Sequence, residues 1–117
     1  MEEEVKSTLV ILAVTLLAGA IAFPLLRAVA AEPATTAEIK IDNFSFAPQT
    51  ITVPVGTEVT WTNQDDIPHT VVSDDKTTFK SHALDTDEKF TFTFTKPGTY
   101  SYFCSIHPKM TAKVVVQ

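Results

Sequence analysis

The chain has 117 residues and a formal net charge of −5, with 9 Lys and Arg against 14 Asp and Glu. A length and a 44% hydrophobic content of this order fit one small domain, and a single cysteine excludes a disulfide framework within the chain. Without a Lys/Arg cluster, the electrostatic footprint of a nucleic-acid binder is absent.

The apolar residues are unevenly placed. Residues 9–26 form an uncharged run between Lys6 and Arg27, followed by Ala28-Val29-Ala30-Ala31-Glu32-Pro33. Small residues suit cleavage after Ala30 or Ala31, and Pro24 breaks the run shortly before, as in a secretory signal peptide. The run also just reaches the roughly 18 residues that span a bilayer. Residues 1–30 are therefore expected to be a signal peptide or a retained membrane-anchor helix. Glu2, Glu3 and Glu4 count little toward orientation, which is left to Lys6 and the terminal amine. Either reading exports the remainder to the periplasm or the extracytoplasmic face of the membrane.

Residues 31–37, rich in Ala, Thr and Pro, read as a mobile linker ahead of a domain over 38–117. Strand signals then recur at 38–41, 50–53, 57–62, 70–73, 89–95, 99–103 and 111–116. In Lys89-Phe90-Thr91-Phe92-Thr93-Phe94-Thr95, Phe and Thr alternate strictly between two faces. Val59 and Trp61 share a face, and Tyr100 and Tyr102 share the parity of Cys104. These aromatics are expected in the core. No helical period of comparable length follows residue 31, so short strands punctuated by Gly and Pro predict an all-β sandwich or barrel.

The chemistry is concentrated in Cys104-Ser105-Ile106-His107-Pro108-Lys109-Met110, which carries a thiol, an imidazole and a thioether. His69, in Asn63-Gln64-Asp65-Asp66-Ile67-Pro68-His69-Thr70-Val71, follows one predicted strand and opens another. Each residue alone has a plainer reading: a lone Cys is usually a small buried hydrophobe, His107 a surface residue, Met110 core. In this order and spacing they match the two His, one Cys and weak axial Met of blue copper. Soft sulfur with borderline nitrogen suits both Cu(I) and Cu(II). A thioether in the fourth place argues against zinc, whose usual ligands are Cys, His and carboxylate. Ligation also explains an unpaired cysteine in an exported chain. His82, in the polar stretch Phe79-Lys80-Ser81-His82-Ala83-Leu84-Asp85, has no sulfur or second His beside it and reads as solvated.

Residues 39–116 resemble a cupredoxin. Two residues between Cys104 and His107 and two more before Met110 make the loop similar to the amicyanin-like branch, as against the plastocyanins. Further matches are Val59-Thr60-Trp61-Thr62-Asn63, Pro97-Gly98-Thr99-Tyr100 and Tyr102-Phe103-Cys104. The resemblance implies a Greek-key β-sandwich and one type 1 copper ion. It also implies that His69 and His107 bind through Nδ1, Cys104 Sγ as the third equatorial ligand and Met110 Sδ as the long axial one. In the family the residue after the first His is often an Asn that ties the ligand segments together. Here it is Thr70, whose hydroxyl can hydrogen-bond across to the ligand loop. The second His of such proteins reaches the surface through an apolar patch. Pro68, Ile106 and Pro108 therefore make His107 the expected electron port.

Four protein ligands leave no open copper position for a substrate, and the further copper sites of a copper enzyme would need histidines this chain lacks. A copper store or chaperone usually presents several Met or Cys, against Met1, Met110 and Cys104 here. The expected function is a monomeric one-electron carrier that meets redox partner proteins transiently; the alternative is a copper store or chaperone. Asp65-Asp66, Asp74-Asp75 and the acidic stretch 85–88 read as a solvated face, with steering toward a basic redox partner as the functional alternative.

Overall fold

A computed structural model describes Pro24 and residues 35–117; the expected signal or anchor helix and most of the linker lie outside the described residues. Eight strands follow in order: β1 (Thr36–Asp42), β2 (Ser45–Ala47), β3 (Thr50–Val53), β4 (Thr57–Asn63), β5 (Val72–Ser73), β6 (Lys89–Phe94), β7 (Gly98–Phe103) and β8 (Thr111–Val116). They form two four-stranded sheets, β2-β1-β4-β6 and β3-β8-β7-β5. The β1/β4 and β3/β8 pairs are parallel and the others antiparallel. The domain is an all-β two-sheet sandwich.

Period-two alternation builds the core. β1 turns Ile39 and Ile41 inward, β4 turns Thr57, Val59, Trp61 and Asn63, and β8 turns Ala112, Val114 and Val116. Parallel register pairs Ile39 with Trp61, both fully buried. Phe79, Phe90, Phe94 and Tyr102 surround the indole at centroid distances of 5.7, 5.7, 6.4 and 5.6 Å. Burying one such large apolar side chain is worth about 1.5–3 kcal/mol, so this cluster dominates the packing of a small domain.

Apart from single terminal residues of β4, β6 and β7, the structure departs from the sequence expectation in four places. β1 takes in Thr36 and Ala37, ahead of the expected start at Glu38. β2 was not anticipated. It pairs with β1 through a two-residue turn whose central residues, Asn43 and Phe44, have φ of 49° and 57°. That is the left-handed pair a type I′ hairpin requires, with Phe where Gly is usual. The strand expected at 70–73 shrinks to Val72–Ser73, because the Thr70 N–H is spent on the Cys104 sulfur. Of the three phenylalanines in β6, only Phe94 is fully buried; Phe90 and Phe92, like Tyr100, are half-buried against the core. β6 is the last strand of its sheet, so its inward face is only partly covered.

Candidate metal centre

β7 and β8 pair up to Phe103 and Thr111, so residues 104–110 form the hairpin connection between them. Two backbone bonds close it: Cys104 N–H donates to Met110 O at 3.0 Å and Met110 N–H to His107 O at 2.9 Å. The sulfur, imidazole and thioether residues thus share one rigid loop. His69 arrives from the β4–β5 connection, bridged to Leu84 by reciprocal backbone bonds of 3.1 and 2.7 Å.

This folding brings His69, Cys104 and His107 together. Cys104 Sγ lies 3.7 Å from His69 Nδ1 and 3.9 Å from His107 Nδ1, and the three donor atoms all fall within 4.8 Å of one another. Bonds of about 2.0 Å to nitrogen and 2.3 Å to sulfur, arranged trigonally, would separate N from S by about 3.7 Å. The cluster therefore fits one metal ion with little rearrangement. His69 and Cys104 are fully buried and Met110 is 7% exposed, whereas His107 is only half-buried.

The surrounding hydrogen bonds prepare the sulfur to bind. Burial raises the Cys104 pKa, but hydrogen bonding to the sulfur, led by the Thr70 N–H at 3.3 Å, outweighs it and brings the thiol down to about 6. A thiolate is the form that ligates a metal. Thr70 makes the tie to the ligand loop: its Oγ1 accepts the Ser105 N–H at 2.7 Å and lies 2.7 Å from Ser105 Oγ.

The loop that delivers His69 is held by residues the sequence did not single out. Buried Asn63 donates through Nδ2 to Ile67 O and Leu84 O, both at 2.8 Å, and accepts the Asp65 N–H at 3.0 Å. Asp65, grouped by sequence with a solvated acidic face, instead places Oδ2 2.7 Å from His69 Nε2. Burial opposes its charge, but hydrogen bonds from Phe44 N–H, His69 and Asn43 N–H prevail and hold the carboxyl below its usual range. Its position four residues before His69 was the only available signal.

His82 stands apart from the cluster, 70% exposed and 3.7 Å from Glu88. Changing His82 to Ala should leave the visible spectrum and reduction potential of the copper-loaded protein unaltered. A changed spectrum in that variant would place His82 at the metal.

Two imidazole nitrogens and a thiol sulfur gathered at one end of a β-sandwich, with a thioether residue in the same loop, make the donor set of a type 1 copper protein. A Cupredoxin-like domain family profile matches residues 8–116. Amicyanin-alpha of Methylorubrum extorquens is 35% identical over 106 residues, covering 85% of this chain and 87% of the relative. A chloroplastic plastocyanin of Tetradesmus obliquus is 37% identical over 84 residues, covering 62% and 58%. Among solved structures, a purple cupredoxin from Nitrosopumilus maritimus superposes with a TM-score of 0.64 at 36% identity, covering 69% of this chain and 99% of that one. The chain belongs to the cupredoxin family. Its cofactor is copper, and it is not an enzyme.

Proposed function

We propose that the protein is a one-electron carrier in which His69 Nδ1, Cys104 Sγ, His107 Nδ1 and Met110 Sδ hold one type 1 copper ion. The observation that carries this reading is the preformed N–S–N cluster, with separations of 3.7 and 3.9 Å already suited to one ion. When bound, copper supplies a Cu(I)/Cu(II) couple in a site of mixed sulfur and nitrogen. The chain's own part is to keep the donors still. Cys104 is fixed by the Met110 carbonyl and the Thr70 N–H, and His69 by Leu84 and Asp65. Donors that do not move between oxidation states make electron transfer low in reorganisation.

The electron is proposed to pass through the His107 edge. His69 is sealed, while His107 lies among Phe44 and Ile106, which are 50% and 45% exposed, and the exposed Pro108. A small apolar patch suits brief redox encounters. The acidic loop stands beside the His69 segment: Asp87 N–H donates to Asn63 O and Thr86 Oγ1 to Asp65 O, both at 2.7 Å. That placement supports steering toward a partner with a basic rim. The uncharged apolar run 9–26, read as a signal peptide or membrane anchor, supports partners outside the cytoplasm.

Ile106→Asp should slow electron self-exchange of the copper-loaded protein by about tenfold or more, the effect of losing a central interface contact worth over 1 kcal/mol, with its spectrum unchanged. An unaltered rate would remove the patch from the pathway. The function itself is tested by reductive titration: the visible band should bleach with one electron equivalent per chain and return on reoxidation. Release of the ion in either oxidation state would favour a store or chaperone.

A further inference from the structure

We propose that Asp65 is a positioning residue whose one carboxylate fixes the tautomer of His69 and holds the strained turn that lays Phe44 across both ligand imidazoles. The inference rests on His69 and His107 being ligands, but it concerns how the chain sets them.

Asp65 Oδ2 is 2.7 Å from His69 Nε2, and the two side chains are 10% and 0% exposed. An ionised carboxylate only accepts hydrogen bonds, so the imidazole carries its proton on Nε2. Nδ1 is then left with its lone pair toward Cys104 Sγ, 3.7 Å away. A carboxylate behind a metal-bound imidazole fixes the ring and raises its basicity.

The same carboxylate reaches the β1–β2 turn. Oδ1 accepts the Asn43 N–H at 2.6 Å and Oδ2 accepts the Phe44 N–H at 2.9 Å. Phe44 sits at φ 57°, a left-handed conformation that is strained for a residue with a Cβ. Core burial does not explain that strain, because the side chain is 50% exposed. What the ring does touch is the site: its centroid is 5.4 Å from His69 and 5.2 Å from His107, edge-on to both at 87° and 86°. Strained, exposed residues are a mark of functional positions. Phe44 covers the imidazoles against water, and Asp65 couples that cover to His69.

A ligand-free measurement and a loaded one test this together. In the metal-free protein, ¹⁵N shifts should show His69 as a single Nε2–H tautomer, with Asp65→Asn giving a mixture because its amide presents a donor to one of the three donors it must satisfy. In the copper-loaded protein, losing the carboxylate should favour Cu(I) by about tenfold, a potential rise of about 59 mV for one electron. Asp65→Glu should restore most of it. Phe44→Ala should leave the tautomer unchanged and increase relaxation of water protons by Cu(II). An Nδ1–H tautomer in the metal-free wild type, or an Asp65→Asn potential within twofold of wild type in the same ratio, would overturn the assignment. Absence of a thiolate-to-copper band in the wild type would instead sink the copper reading, and the tautomer result would still judge Asp65.

Discussion

Replacing Cys104 with Ser abolishes the intense visible band of the copper-loaded protein and widens its EPR hyperfine splitting. Cys104 is the chain's only cysteine and stands between the two imidazoles, so no other thiolate can supply charge transfer to the ion. Serine is close in size, and its hydroxyl can accept the Thr70 N–H that now points at the sulfur. The fold is therefore retained while the ligand is lost. Removing a residue that only orients a ligand costs roughly 10–100-fold in metal affinity, and removing the thiolate itself should cost at least that. Absorption spectroscopy and a competition titration read both effects. A band surviving in Cys104→Ser would mean that the sulfur is not bound to the metal.

Asn63→Ala destabilises the metal-free protein by about 3 kcal/mol. Asn63 is fully buried, and its amide satisfies the carbonyls of Ile67 and Leu84 and the N–H of Asp65. Alanine leaves the Ile67 carbonyl and the Asp65 N–H without this partner, while Leu84 O keeps the His69 N–H at 3.1 Å, and each buried polar group left unpaired costs about 1–3 kcal/mol. Against a total stability of about 5–15 kcal/mol, that is a large share. Because the same contacts hold the loop ending in His69, copper affinity should also fall, by roughly tenfold or more. Urea denaturation should show a lower midpoint at an unchanged slope. A loss below about 1 kcal/mol would show that water replaces the amide, and that the latch is unimportant.

What could be read from the sequence was what is local. Strands β3 and β8 lie where alternation placed them, and the extra residues of β4 and β7 are terminal. The residues of the Cys104–Met110 loop were legible because they share one hairpin, and His69 because a strand signal and Pro68 flank it. Depth of burial was less legible. Period two gave Phe90, Phe92 and Phe94 a common face, but only the strand order of the sheet decides that the first two are half-covered. β2 is three residues long, and its turn puts Phe44 where the usual turn chemistry asks for Gly.

The supports of the site escaped for a different reason. Asp65 meets Asn43 and Phe44 across 22 and 21 residues of chain, and Asn63 meets Leu84 across 21. Neither contact leaves a periodic trace. In sequence Asp65 and Asp66 are equivalent members of an acidic pair; in the fold Asp66 faces solvent and Asp65 turns under His69. The charge reading was sound for the group and failed for the one member that packs inward.

The most direct test of the electron-carrier account is the self-exchange rate of the copper-loaded protein, read from NMR line broadening in mixtures of oxidised and reduced forms. Donors held by backbone bonds and a half-buried His107 predict rapid exchange with both forms retaining the ion. Slow exchange, or loss of copper on reduction, would contradict the account.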